Sequence, residues 1–281
     1  MTFSSRFDPS PTGYLHLGHA YSALLAFDMA QRAQGRFLLR IEDTDQERSK
    51  AAYESQIYSD LEWLGISWET PVLRQSQNMP AYDTALDTLA GMGLLYPCSC
   101  TRGDIRRATS APQEGAPLLG PDGLIYPGTC RNRKWSDRTD KDAVRLNMQK
   151  AVDTLPTLPN YVETGTHPQI AMPRSHLIDQ VGDIVLARRD TKTAAYHLSV
   201  VVDDAAQDVT HVIRGEDLAT ATPIHVLLQA LLKLPTPIYH NHRLIRDETG
   251  KRLAKRDDAR AIRTYRSEGA TPQDIRRMVE L

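Results

Sequence analysis

The 281-residue sequence has no excess of charge of either sign: 34 Lys and Arg stand against 35 Asp and Glu, a formal charge of −1. That balance excludes a uniformly basic nucleic-acid binder and leaves any polyanion contact to a local patch. Long apolar runs are missing as well. The longest, around Val226 to Leu232, falls well short of the ~18 residues that span a bilayer, so no membrane partner is expected. The N-terminal stretch reaches Asp8 without an apolar segment, which predicts no secretory signal and a cytoplasmic location. Cysteine is scarce and its count of three is odd, so a disulfide framework is not expected. All three cysteines nevertheless fall within 33 residues, and that clustering suggests a metal. Internal repeats and low-complexity tracts are absent. What is present, 41% hydrophobic and 25% charged residues, describes a globular chain of roughly two domains at ~100 to 200 residues each.

In the first hundred residues short strands alternate with amphipathic helices, the pattern of an α/β fold with a parallel sheet covered by helices. Phe3 to Phe7 reads as a strand. The loop Pro9-Ser10-Pro11-Thr12-Gly13 follows, and an Ala/Leu-rich helix runs from about Gly18 to Gln34 before Gly35 stops it. Arg36 to Ile41 is the next strand. It ends in Glu42-Asp43-Thr44-Asp45, ahead of a helix that places Tyr53, Ile57, Leu61 and Leu64 on one face and stops at Gly65. A further helix groups Tyr82, Leu86 and Leu89, and Leu95 to Cys100 is extended. From Thr101 to about Pro173 periodicity is lost, and the Pro/Gly-rich stretch Arg106 to Gly128 predicts loops, an insertion and not a sheet layer. Regularity returns at Asp183 to Arg188, at Val209 to Arg214, and in a helix with Thr222 as N-cap and Pro223 at its first position. That helix should bury Ile224, Leu227, Leu228, Leu231 and Leu232. From Arg243 onward, 11 Lys and Arg face 7 Asp and Glu, so the C-terminal tail is locally basic.

Two constellations suit a polyphosphate. In the segment Pro9 to His19 a rigid loop feeds a helix N-terminus, where free N–H groups and the helix dipole favour an anion. Gly18 allows close backbone approach there, and His16 and His19 offer two imidazole donors. The same residues also fit a surface turn, or a metal pair lacking a nearby third ligand. The second constellation, Thr249 to Arg256, puts four cations within six residues beside a glycine. Such a loop can stabilise the charge that develops on leaving pyrophosphate, or be a solvated basic loop. A third grouping, Cys98-x-Cys100 with Tyr126-x-x-x-Cys130, offers three thiolates toward the four ligands of a structural zinc site. His167 and His176 are further candidates for the fourth position.

Taken together, RFDPSPTGYLHLGHA, RIEDTD, YHLSVVVDD, VTHVIRGEDL and KRLAKR, in this order, resemble a class I aminoacyl-tRNA synthetase of the glutamyl type over about 1–100 and 180–260. Within that family the chain is most similar to a shortened paralogue. The chain stops about 25 residues after the second signature, so no large helical anticodon-binding domain is expected. The resemblance implies a Rossmann catalytic domain in two halves, 1–90 and 190–245. An inserted zinc-bearing, acceptor-binding subdomain at 91–189 separates them, and a KMSKS-like loop with a stem-contact-like tail occupies 246–281.

By the same resemblance Arg6, Ser10, Glu42, Tyr196 and Arg214 bind L-glutamate. His16, Gly18, His19, Arg252 and Lys255 engage ATP with Mg²⁺, and His16, His19 and Lys255 are the catalytic set. An arginine grips a carboxylate in bidentate fashion, and Glu42 suits the substrate ammonium. Cys98, Cys100, Tyr126 and Cys130 hold one structural zinc, with tyrosine as the fourth ligand. The implied reaction is activation of glutamate and its transfer to the queuosine base in the anticodon arm of tRNA(Asp) by a monomer. Glutamylation of a tRNA 3′ end and small-molecule nucleotidyl transfer are the competing reactions, and a non-catalytic zinc-containing RNA-binding module is the competing class. Three residues depart from the family pattern: Asp8 replaces a small residue, Arg252 a lysine and Ala254 a serine. Asp8 would pair with the substrate ammonium or repel its side chain. Asp217 and the Asp203-Asp204 pair are expected to cap helices.

Overall fold

A computed structural model describes residues 2–109, 119–121, 123–166, 173–189, 193–246 and 260–281. Three strands, β1 (Ser4–Phe7), β2 (Arg36–Ile41) and β3 (Glu69–Arg74), pair in parallel in that order. Parallel strands need crossover connections, and helices α1 (Leu17–Arg32) and α2 (Ala51–Trp63) supply them. α1 lies on the sheet through Ala20, Ala23, Leu24, Ala26 and Ala30, small residues that let the helix approach closely. These pack with Leu39 and Ile41 of β2 and with Ile57 and Leu61 of α2 into one apolar core. Gly35 is required by space: a Cβ there would stand 2.3 Å from the Phe3 carbonyl oxygen, where Arg36 N–H begins the β1–β2 pairing at 2.8 Å. Gly65 ends α2 with φ +79°, the left-handed conformation expected of a helix-stopping glycine.

After α3 (Met79–Gly91) comes β4 (Leu95–Cys98), followed by α4 (Arg102–Thr109), the minimal hairpin β5 (Leu119–Gly120) and β6 (Gly123–Leu124), and then β7 (Ala143–Leu146), α5 (Met148–Thr154) and β8 (Val185–Ala187). The expectation of an insertion without a sheet layer is corrected here. β7 is the central strand of an antiparallel sheet in the order β4-β7-β8. Its Val144 and Leu146 are buried in one core with α3 and with two later helices, α6 (Tyr196–Ala206) and α7 (Thr222–Leu232). Four residues are too few for periodicity to register, so tertiary burial decides this strand.

β9 (His211–Gly215) and β10 (Ile238–His242) form a second parallel pair. β9 lies beside β1, where Thr210 N–H donates to the Ser4 carbonyl and Ser4 N–H to Thr210 Oγ1, both at 2.9 Å. The C-terminal ends of β1, β2 and β9 therefore converge, and they carry Arg6, Glu42 and Arg214, the edge at which open α/β sheets bind ligands. α7 buries Ile224, Val226, Leu227, Leu228 and Leu231 together with the polar Thr222, His225 and Gln229, and so is buried on nearly all sides. Thr222 is its first residue and Ala221 its N-cap, a correction explained by the Thr222 hydroxyl, which serves Arg214 instead. Two short helices, α8 (Ile262–Ser267) and α9 (Pro272–Met278), return to α1. There Arg276 forms a two-point ion pair with Asp28 at 2.7 and 2.9 Å, so part of the tail's positive charge is spent within the fold. Among the described residues no helix is long and apolar enough to cross a membrane.

Candidate active site

α1 opens with a reciprocal cap made by its own histidines. His16 Nδ1 accepts from Gly18 N–H at 3.1 Å and His19 Nδ1 accepts from His16 N–H at 3.2 Å, with the two rings 3.8 Å apart. A neutral imidazole that accepts at Nδ1 carries its proton on Nε2. Both rings are thereby set as Nε2–H donors at a helix N-terminus. Gly18 suits the cap, since a Cβ there would stand 3.0 Å from the His16 ring and press on it. Arg252, Ala254 and Lys255 lie outside the described residues. The chain resumes next to the histidines: Ala261 bridges to His16, and Ile262 N–H donates to the Leu15 carbonyl at 2.8 Å.

Behind this helix start lies a buried charge network. Arg6 Nε donates to Asp204 Oδ1 at 2.9 Å and its Nη2 contacts Asp8 at 3.0 Å. Arg40 of β2 reaches the same two carboxylates at 3.0 and 2.8 Å, and its Nη1 reaches the Gln207 side chain at 3.1 Å. Asp203 instead accepts from Gln75, Asn78 and Tyr82. Asp203 and Asp204 therefore cap nothing, which corrects the expectation: both are buried inside α6, and one of them anchors Arg6. Asp8, the departure from the family pattern, is engaged by the two arginines.

Three atoms in this region are buried without a hydrogen-bond partner, Arg6 Nη1, Arg40 Nε and Glu42 Oε1, and of these Arg40 Nε has the Asp203 carboxylate 3.9 Å away. Burial drives the Glu42 carboxyl well above its ordinary range and Asp8 adds to the effect, against the opposing charges of Arg40 and Arg6. Glu42, Ser10, Thr12, Arg188 and Tyr196 line a cavity of about 190 Å³. The Tyr196 phenol is raised chiefly by burial, with Arg214, Glu42, Asp8 and Arg6 all close enough for their charges to act on it. Tyr196 thus shares a cavity with Ser10 and Glu42 and lies within electrostatic reach of Arg6 and Arg214.

Arg214 is 5% exposed and held from three sides. It donates from Nη2 to Thr222 Oγ1 at 2.7 Å, from Nη1 to His225 Nδ1 at 3.0 Å and from Nε to Asn241 Oδ1 at 3.4 Å, and it lies over the Tyr239 ring at 5.1 Å. An arginine can only donate, so His225 must accept at Nδ1 and present Nε2–H to His197 Nδ1, 3.0 Å away. Burial and the Arg214 charge hold His225 well below the usual histidine range, consistent with a neutral ring. Thr222, His225 and Asn241 support Arg214 directly and His197 supports it through His225, a set that the sequence did not group with Arg214. The signal available was a histidine within an otherwise apolar helix face.

The cysteines converge at the other end of the chain's middle segment. Cys98, Cys100 and Cys130 have all their sulfurs within 4.8 Å of one another. The Tyr126 hydroxyl lies 3.4 Å from both Cys98 Sγ and Cys100 Sγ, and it accepts the Cys130 N–H at 2.9 Å. Burial pushes the Cys100 thiol up to about 11, while at Cys130 burial is outweighed by hydrogen bonds from Tyr126 and Ser99 and the thiol falls to about 6. Three sulfurs and a phenol oxygen around one point are a donor set that zinc accepts. His176 is half-buried and lies outside the cluster, and His167 is outside the described residues.

Residues 2–281 match the family model for the catalytic domain of class I tRNA synthetases of the E and Q type. The chain is 57% identical to the glutamyl-Q tRNA(Asp) synthetase of Rhodobacter capsulatus, over 99% of both sequences. It is 39% identical to the protein of that name from Nocardia farcinica, over 97% of this chain and 82% of the relative. Among solved structures it resembles the glutamate-tRNA synthetase of Elizabethkingia anophelis, with a TM-score of 0.76 and 25% identity over 97% of this chain. It spans 60% of that protein's length. A glutamate tRNA ligase of Elizabethkingia meningosepticum, solved with its amino acid, is similar at a TM-score of 0.74 and 26% identity, over 97% of this chain and 59% of the ligase. With an α/β fold of class I synthetase type and a family match over nearly its whole length, the chain belongs to the class I tRNA synthetases of the glutamyl and glutaminyl group.

Proposed function

We propose that the protein activates L-glutamate with ATP and transfers the glutamyl group to the queuosine base in the anticodon loop of tRNA(Asp). The activation half rests on one observation above all: Arg6 Nη1 and Glu42 Oε1 are buried without partners near a cavity of amino-acid size. A buried donor and a buried acceptor left unmatched cost roughly 1–3 kcal/mol each, more when charged. A zwitterion with a side-chain carboxylate can satisfy both. In this reading Glu42 takes the ammonium group, Arg6 and Arg214 take carboxylates, and Ser10 and Tyr196 complete the pocket. The glutamate α-carboxylate attacks the α-phosphorus of ATP in line and pyrophosphate leaves. His16 and His19 donate to phosphate oxygens from Nε2, Gly18 keeps the helix start open, and Arg252 and Lys255 balance the charge on pyrophosphate together with Mg²⁺. The contact between Ala261 and His16 favours this assignment, since it returns the chain beyond Lys255 to the first signature.

The acceptor assignment is supported by likeness to the relatives named glutamyl-Q tRNA(Asp) synthetase. We assign 1–90 and 190–245 to the catalytic domain and 91–189 to an acceptor-binding subdomain that the cysteine cluster braces with zinc. Residues 246–281 are assigned to the KMSKS-like loop and tail. Amino-acid-dependent exchange of pyrophosphate into ATP, run with all twenty amino acids and no RNA, tests the activation step. Exchange with glutamate alone is expected. Exchange with none, or with another amino acid in preference, would contradict the reading.

A further inference from the structure

Arg145, in the middle of β7, is 8% exposed and meets no carboxylate among the described residues. Its Nε donates to Cys98 Sγ at 3.4 Å, its Nη1 donates to the Asp183 carbonyl at 2.7 Å, and its guanidinium stacks on Tyr126 with its carbon 3.9 Å from the ring centroid. The neighbouring Asp183 carboxylate is taken by Tyr96, Arg131 and the Met148 N–H. A buried cation without a counter-ion is strongly disfavoured. Arg6 and Arg40, deeply buried guanidiniums of the parallel sheet, both face aspartates. Arg214 also meets no carboxylate among the described residues, and there the proposed substrate brings one. By the same logic, Arg145 marks an anion that belongs at the cysteine cluster.

We propose that Arg145 is the counter-charge of a metal centre formed by Cys98, Cys100, Tyr126 and Cys130. The inference rests on the reading of that cluster as a zinc site. A divalent cation binds thiolates, and three thiolates with a phenolate leave the shell doubly negative. Arg145 touches two of those four ligands, one through a hydrogen bond to sulfur and one through the ring face, and halves the residual charge. Outer groups that orient and neutralise metal ligands are typically worth ~10–100-fold in metal affinity. Tyrosine thereby becomes acceptable as an anionic fourth ligand in a buried setting.

The test is zinc affinity, measured by chelator competition on the full chain and its variants, with circular dichroism confirming the fold. Wild type is expected to hold about one zinc, and Cys130→Ser to lose it. Arg145→Met should bind zinc ~10–100-fold more weakly, while Arg145→Lys, which keeps the charge, should retain most of the affinity. If the methionine variant does not fold, Arg145→Gln replaces it. A folded neutral variant that binds zinc as tightly as wild type would overturn the proposal, as would a lysine variant that loses as much as the neutral one. A wild-type protein without zinc affinity would reject the metal centre itself, a different outcome from either.

Discussion

Glu42 concentrates the conflict between folding and substrate binding in a single side chain. Its carboxyl is buried, one oxygen has no partner, and its folded pKa is raised well above the ordinary value of 4.5. A group raised in this way contributes stability below its unfolded pKa and loses it as pH rises through the folded one. The ligand-free protein should therefore lose stability as pH rises above about 4.5, and Glu42→Gln should remove that loss, raising Tm at pH 7 while increasing the KM for glutamate about tenfold or more. Melting curves from pH 5 to 8 for both proteins check this, and parallel curves would contradict it. Arg214→Ala should raise the KM for glutamate with a smaller change in kcat, whereas Lys255→Ala should lower the exchange rate with little change in KM. Equal effects of both on KM would show the roles misassigned. Arg6, Ser10, Glu42, Tyr196 and Arg214 are legible in the sequence because each stands in a short ordered motif. Their supports are not: Asp204 lies 198 residues from Arg6, and ion pairing across that separation leaves no local pattern.

Among the elements, α1, α2 and α3 follow from periodicity because each has a buried face and a glycine or proline boundary, whereas β1 and β2 are buried at nearly every position and are read from their place between loop and helix signals. α6 is harder to read. Its three valines, Val200 to Val202, are strand formers, and the helix forms because Leu198, Val200 and Val201 find a core made by distant segments. β10 alternates Tyr239 and Asn241 inward with His240 half-exposed, so its inner face is too polar to signal a buried strand. The boundary at Gly35 carries a sharper expectation. Gly35→Ala forces a methyl group against the Phe3 carbonyl at the point where β1 and β2 begin to pair, and backbone gives way poorly. It should destabilise the protein by about 1–3 kcal/mol, the cost typical of overpacking, read from urea unfolding. Gly65→Ala meets nothing within 4 Å and bears only the left-handed backbone penalty, so it should cost less. The reverse order would show that the α1–β2 turn yields more easily than its packing implies.

At the level of the whole molecule, three parallel strand ends bring the candidate amino-acid ligands together, α1 supplies the helix start proposed to take phosphate, and the antiparallel sheet shares its core with α6 and α7 while carrying the cysteine cluster at its edge. This one arrangement is proposed to activate glutamate without RNA and then to deliver it to a modified base. The most direct measurement is transfer of labelled glutamate, in the presence of ATP, to tRNA(Asp) carrying queuosine, to tRNA(Asp) carrying guanosine at that position, and to tRNA(Glu), each with and without prior periodate oxidation of the 3′ end. Because transfer relies on phosphate contacts, it should also fall with added salt more steeply than pyrophosphate exchange. Label is expected on the queuosine-containing tRNA(Asp) alone, attached regardless of the state of the 3′ terminus. Equal labelling of the guanosine form, or label on tRNA(Glu) that periodate abolishes, would contradict it.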